Sequence, residues 1–443
     1  MRFEASRAKA LDQLNNFVKN NLSKYSKLRN FDFGPNIRSN ISCLSPYITH
    51  GVINELEVIK KSLNKFSFAK SEKFIQEVLW RVYWKGWLEL RPNVWSDYLI
   101  ELSQIKQEYK SNKNYLKAIE GKTNIECFNH WVIELKEHNY LHNHTRMWFA
   151  SIWIFTLELP WQLGAEFFMK HLYDGDIASN TLGWRWVAGV QTQGKHYLAS
   201  EWNIKKFTND RFQNIKLNEK ACPKISKKIY SIIKKKFNNP QNLEKRDLII
   251  FENNLSFETT NFQNQKFRKI YLVLNKNEKR FIKLSEKVLK FKSLLTEDQK
   301  KRLEKKSISC EIININEMKN IKEEIYALYP NISENLDFIN SKKDIFIEGT
   351  IGVRKIIAPN SSPFAFVQKL ASESISLEHG SPYFMFYEVL RDSGEMQVGR
   401  GPKKEANRRI SALAALLRVA AMRVAARYLW HSMPIKKPQA IIF

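Results

Sequence analysis

Residues 173–197 read YDGDIASNTLGWRWVAGVQTQGKHY, and upstream residues 138–151 read HNYLHNHTRMWFAS. Asp174 and Asp176 bracket a glycine. Asn180, Gly183, Trp184 and Trp186 follow, and Arg146 stands on an aromatic stretch from which it can pair with a carboxylate. Taken singly, each polar residue fits a helix cap or an ion pair inside an aromatic core. Taken together they set charges and amides among Trp and Phe, where an unpartnered buried charge is costly. A flat ring with polar edges would supply the partners.

Working outward, the pattern is helical. Residues 71–90, SEKFIQEVLWRVYWKGWLEL, place Phe74, Val78, Trp80, Trp84 and Leu88 close to helical spacing. Residues 141–172 form a longer aromatic stretch in which Pro160 breaks the helix or begins a new one. Gly- and Asn-containing loops are expected near 33–46 and 174–183. The fold class expected is mainly α over residues 1–210. Residues 211–246, with Lys224, Lys227, Lys228 and the Lys234–Lys236 run, read as a basic helix and a linker, either a solvated face or a DNA contact. Across 247–350, DLIIFENNL, KIYLVLN, SCEIININE and DIFIEG read as short strands separated by helices, a smaller α/β module with a parallel or mixed sheet. It carries no GxGxxG or P-loop, so no ligand is assigned to it. Residues 351–443 are a tail of uncertain structure. Within it 410–430 reads as a basic amphipathic helix, because Arg418, Arg423 and Arg427 interrupt its apolar run.

The 443 residues carry a formal charge of +27. That excess favours a polyanionic partner, nucleic acid before an anionic membrane surface, with a Lys- and Asn-rich genome bias as the alternative. Cys43, Cys127, Cys222 and Cys310 are scattered with no CxxC pair, which gives no basis for a metal site and fits a reducing, cytoplasmic compartment. No apolar run reaches the roughly 18 residues a spanning helix needs, so no membrane association is expected. A monomer is expected.

The pattern DGDxAxNxxGWxW resembles the DNA photolyase and cryptochrome family. LHNHTRM at 141–147, Trp161, and Glu77, Trp80 and Arg81 in QEVLWRVYW occur at matching spacings, and SCLSPYITHG at 42–51 is similar to the family's phosphate-binding loop. The resemblance spans about residues 5–208 and implies an all-helical domain with FAD as cofactor. It would put Ser42, Leu44 and Ser45 at the FAD phosphates, with Ile41 where a Thr often stands. Tyr25 and Arg29 match a pair touching cofactor and DNA, and Arg81 joins the cofactor contacts. Arg146 and Asp174 would form a buried ion pair beside the flavin ring, with Asp176 and Gly183 nearby. Asn180 would face flavin N5, where a neutral amide adds no charge beside the reduced, anionic ring.

The same resemblance extends to chemistry. Trp184, Trp161 and Tyr109 match a photoreduction chain, Tyr109 being either its last member or a bystander. Trp80 and Trp186 match the flat walls of a pocket for a flipped pyrimidine pair, with Glu77, Asn143 and Met147 as further contacts and His144 beside them. His142–Asn143, in place of a His pair, resembles the enzymes for cyclobutane dimers. This implies light-dependent repair of DNA containing pyrimidine dimers by electron transfer from excited, reduced FAD. Two other readings remain: a cryptochrome-like light or redox sensor, and a DNA-binding flavoprotein with one step lost. No antenna chromophore is implied. The family's α/β domain normally precedes the FAD domain. Here DLIIFENNLSFE is similar to that domain's first strand but follows, so a rearranged order is expected.

Overall fold

The structure is a computed structural model that describes residues 3–341 apart from 193, 234–245, 261–262, 265, 318–324, 329 and 331. Twelve helices come first in the described chain: α1 (Arg7–Asn20), α2 (Leu22–Leu28), α3 (Ser45–Thr49), α4 (Glu55–Leu63), α5 (Phe68–Glu89), α6 (Asn93–Tyr109), α7 (Lys113–Glu120), α8 (Glu126–His138), α9 (Asn143–Ser151), α10 (Trp161–His171), α11 (Ile177–Ala188) and α12 (Glu201–Phe207). The centre is built by α5 and α11. From Phe74 to Gly86 every residue of α5 is buried, as is nearly all of α11, so these helices are enclosed on all sides rather than amphipathic.

Local chemistry sets the ends of α11. Asp176 caps its first turn by accepting the Ser179 amide at 2.8 Å, and Gly189 ends it in the left-handed region at φ +91. The loop expected over 174–183 is therefore only its first part, because the Asp176 cap starts the helix at Ile177. Upstream, α9 passes into one π turn at Ile152–Thr156, and α10 begins directly after Pro160.

The second part is a parallel sheet of β1 (Asp247–Phe251), β2 (Ile270–Val273), β3 (Cys310–Ile313) and β4 (Ile325–Ala327), in the order β3-β2-β1-β4. Helices α13 (Glu286–Glu304) and α14 (Glu334–Ser341) accompany it. Leu248, Ile250 and Leu272 pack with Leu303 of α13 on one face, while Ile249, Phe251 and Val273 pack with Ile339 of α14 on the other. Strands buried on both faces explain the near-continuous apolar runs. The fourth strand was not visible in the sequence reading, where EIYALYP offers only a three-residue run. The expected strand at DIFIEG, the tail over 351–443 and its basic helix at 410–430 lie outside the described residues.

The basic helix expected at the start of 211–246 is corrected. Residues 211–233 form an irregular strap. Their backbone hydrogen bonds go sideways into the body: the Lys224 amide to Ala188 O and the Ile233 amide to Leu90 O, both at 2.8 Å. Ile225 and Ile229 are 87% and 92% exposed, so a helix here would have no apolar face to bury. Lys228 reaches back to Asp97 (2.9 Å) and Glu101 (3.0 Å) on α6, so this lysine faces the protein's own carboxylates.

Sheet and helices meet at the end of α3. The Leu255 amide donates to the His50 carbonyl at 3.0 Å, His50 Nε2 meets Tyr173 O at 2.9 Å, and Phe291 of α13 stacks on Tyr173 at 4.3 Å. Gly51, at φ +61, lets the loop after β1 approach: a Cβ there would lie 2.5 Å from the Asn253 carbonyl oxygen. Backbone strain and this clash together are expected to make Gly51→Ala cost about 2 kcal/mol or more, read by urea unfolding. An unchanged midpoint would show that the loop does not pack here.

Candidate functional site

Four elements converge on Asp174, which precedes α11. Its carboxylate takes both contacts from the Arg146 guanidinium of α9, at 3.0 and 2.8 Å, and accepts the Ser45 hydroxyl of α3. The pair is buried. Thr49 Oγ1 lies 3.4 Å from Asp174 O and also receives Arg81 of α5. Asp176 lies within the electrostatic reach of Lys85 and Arg81. Burial pushes its carboxyl up, but these two cations and the Ser179 hydrogen bonds outweigh that and hold it below the usual carboxylate range.

Several buried polar atoms here have no hydrogen-bond partner in the protein: Arg81 Nε and Nη1, Asn180 Oδ1 and Ser179 Oγ. Arg81 is almost fully enclosed, and among the described residues Asp176 lies within its electrostatic reach without satisfying Nε or Nη1. A guanidinium in that state is expensive unless an anion joins it. Asn180 Nδ2 donates across to Ala165 O at 2.8 Å, leaving the amide oxygen unpartnered. A cofactor with phosphates and a polar-edged ring fits this set.

The remaining cofactor candidates are placed as follows. Ser42 points its carbonyl at Gln13 Nε2 (2.7 Å), Leu44 is buried as the residue before α3, and Gly183 is buried in α11. Tyr25 packs edge-on against Phe74 at 5.2 Å, and burial beside Glu77 raises its phenol.

Glu77, Trp80 and Arg81 share one face of α5 at i, i+3 and i+4. Arg29 forms an ion pair with Glu77. Burial pushes the Glu77 carboxyl up, opposed by Arg29 and Lys73. Trp80 packs against Tyr83 and Trp84, each at 5.5 Å, and Trp186 stacks on Tyr197 at 6.1 Å. Asn143 and Met147 lie one turn apart on α9, Met147 fully enclosed. His144 turns instead to Asn30 O (2.9 Å) and the Trp148 ring (4.2 Å).

Trp161 stacks on Tyr98 at 5.4 Å, whereas Tyr109 makes its ring contact with Tyr115 at 6.5 Å. Gly164 leaves room for Trp184: a Cβ there would lie 2.3 Å from the indole. Sequence reasoning missed Thr49 and Lys85, although Lys85 stands one turn beyond Arg81. It also missed the buried network in which Asp32 accepts from Arg38 (3.0 Å) and Thr145 (2.6 Å), while Arg38 reaches Glu134. Asn129 fastens the loop before α8 by accepting from the Thr123 amide at 2.8 Å.

The FAD binding domain of DNA photolyase matches residues 74–271. A deoxyribodipyrimidine photo-lyase from Vibrio cholerae is 28% identical over 200 residues, covering 44% of this chain and 41% of the relative. One from Streptomyces griseus is 31% identical over 152 residues, 34% of this chain and 32% of the relative. The chain thus spans about two-fifths or less of the length of these curated relatives. Among solved structures, a bacterial class III photolyase from Agrobacterium tumefaciens aligns with TM-score 0.39 at 25% identity, over 46% of this chain and 43% of that one. A Synechocystis cryptochrome aligns with TM-score 0.38 at 18% identity, over 47% and 44%. Residues 74–271 thus match an FAD-binding domain of the photolyase type, and FAD is the cofactor this match gives. Among the described residues no helix is long and apolar enough to cross a membrane.

Two predictions follow from the charges. Arg81→Met should lower FAD affinity by about tenfold or more while costing the apoprotein little stability, since it removes a buried cation with unmet hydrogen-bond donors. Asp174→Ala should instead destabilise by about 3–5 kcal/mol by orphaning Arg146. Flavin titration and urea unfolding separate the two, and equal loss of stability in both variants would contradict the assignment. Burial also holds His50 and His142 near 3 and His144 near 4, so these rings stay neutral in the fold. Their contribution is present above the unfolded value of 6.5 and is lost as pH falls towards 4. Glu134, pushed up to about 7 by burial, works the other way, as do Glu77 and Glu334, also raised by burial, while His171, held near 4, adds to the histidine side. The unfolding midpoint should therefore drop between pH 6.5 and 4, and a flat profile would refute the neutral histidines.

Proposed function

We propose that the protein splits cyclobutane pyrimidine dimers in DNA under blue light. The observation that carries this is the shared face of α5, where Arg81 keeps unmet donors suited to an anionic cofactor, Trp80 adjoins it and Glu77 stands one turn before. When bound, FAD supplies the light absorption and the electron. Arg81 and Thr49 anchor its phosphate arm, and the Arg146–Asp174 pair with Ser45 fixes the loop before α11. Asn180 offers its amide oxygen to the ring edge. Glu77, whose carboxyl burial pushes up against the pull of Arg29 and Lys73, would stand beside a pyrimidine carbonyl where negative charge develops. Trp80 and Trp186 supply flat apolar surface to the flipped bases. The charge of +27 supplies attraction to the phosphate backbone, so binding weakens as salt rises.

The Arg29–Glu77 pair also supports a second reading, a light sensor in which that carboxylate stays engaged and repairs nothing. The test is repair of a thymine-dimer oligonucleotide by reduced holoprotein, with a dark control. Restored thymine absorbance in light, reduced at least about tenfold in Glu77→Ala with FAD retained, supports the enzyme. No restoration with FAD bound and photoreducible supports the sensor.

A further inference from the structure

Trp202 of α12 is 61% exposed, although tryptophan is among the residues most buried on average. Its neighbours on the helix are in the opposite state. Asn203 is buried and accepts the Trp148 indole N–H at 2.9 Å, and Ile204 is fully enclosed, so α12 is fixed to the body while Trp202 faces solvent. Lys206, one turn on, places its Nζ over the Trp202 ring at 4.9 Å and over the Phe207 ring at 5.4 Å.

The position is connected to the site. Phe207 meets the His144 ring and the Phe31 ring, each at 5.1 Å, and Phe31 stacks on Phe33 at 5.6 Å. His144 follows Asn143 on α9, and Arg29, two residues before Phe31, pairs with Glu77 of α5. A line of contacts therefore runs from Glu77 outward to Trp202. Within residues 201–211 the exposed charged residues are Lys205, Lys206, Asp210 and Arg211, a net positive set. The carboxylates closest in sequence to the indole are turned to backbone: Glu201 accepts the Ile215 amide at 3.3 Å and Glu219 the Glu201 amide at 3.0 Å. On the strap, by contrast, Lys228 is engaged by Asp97 and Glu101.

An exposed flat ring beside lysines suits a single strand of nucleic acid, whose base offers a π face and whose phosphate offers charge. In a duplex each base is already stacked on its neighbours and has no free face to give. We propose that Trp202 and Lys206 form a platform for an unpaired base flanking the lesion, so that the protein takes its substrate best in single-stranded DNA. The inference rests on the reading of the α5 and α9 face as the lesion pocket. The base lies on the indole, the adjoining phosphate meets the Lys206 ammonium, and the same strand delivers the dimer to Trp80 and Asn143.

The test is fluorescence anisotropy of the FAD-loaded protein on a labelled thymine-dimer oligonucleotide, as a single strand and as a duplex, over a salt series. The wild type should bind the single strand more tightly. Trp202→Ala, at an exposed position safe for folding, should weaken single-strand binding at least about fivefold and leave duplex binding and the salt slope unchanged, with Trp202→Phe recovering most of the loss. Lys206→Ala should instead lower the single-strand salt slope by about 0.7. An abasic residue scanned along both flanks of the dimer should at one position reproduce the Trp202→Ala loss and make that substitution silent. Equal single-strand affinity in the wild type and Trp202→Ala, or an equal loss on the duplex, overturns the platform. So does an unchanged affinity accompanied by loss of a dimer in sedimentation, which would assign this face to a second copy of the chain. Failure of the underlying reading looks different: with FAD bound, the lesion would give no advantage over intact thymines in either form of DNA, whatever stands at position 202.

Discussion

A buried carboxylate, Asp174, organises the centre of this molecule. It sits between α3, α9 and the start of α11, and it satisfies Arg146 on two oxygens while accepting Ser45. An ion pair this enclosed adds little net stability but is costly to break, so its role is to fix one geometry. That geometry aims the other groups. Two residues on, Asp176 caps α11, and one turn further Asn180 faces away from its own helix. Beside Thr49, Arg81 is left as a buried cation with unmet hydrogen-bonding capacity. Asp174 is satisfied within the protein, whereas Arg81 keeps two unmet donors that an anion could fill.

The α/β part extends the same logic to the other end of α3. His50 ties the loop after β1 to the helical body, and Gly51 permits the close approach. Glu252, just after β1, takes Arg280 at 2.6 Å and Lys292 at 3.0 Å in a second buried charge cluster. Burial pushes its carboxyl up, but the two cations outweigh this and hold it well below the usual range. The helical part and the sheet are thus joined through matched charges and one stacked pair, Tyr173 with Phe291, as well as apolar contact.

Much of the helical part was legible because its chemistry is local. The Asp-Gly-Asp loop and the aromatic face of α5 can be read from spacing alone, and the α/β alternation showed in three apolar runs that became β1, β2 and β3. What could not be read depends on distant partners. The strap over 211–233 is held by Ala188, Leu90 and α6, so lysine spacing suggested a helix that tertiary hydrogen bonds replace. Strand β4 is too short to announce itself. The ring contacts of Trp161 with Tyr98 and of Tyr109 with Tyr115 join separate helices, and no sequence period encodes them.

The central claim is that Arg81 waits for the phosphates of FAD. Calorimetric titration of the apoprotein with FAD and with riboflavin compares the same ring with and without them. Charge-assisted hydrogen bonds to a buried guanidinium predict FAD tighter by at least about tenfold, with the difference abolished in Arg81→Met. Equal affinity for the two flavins in the unaltered protein would contradict the account.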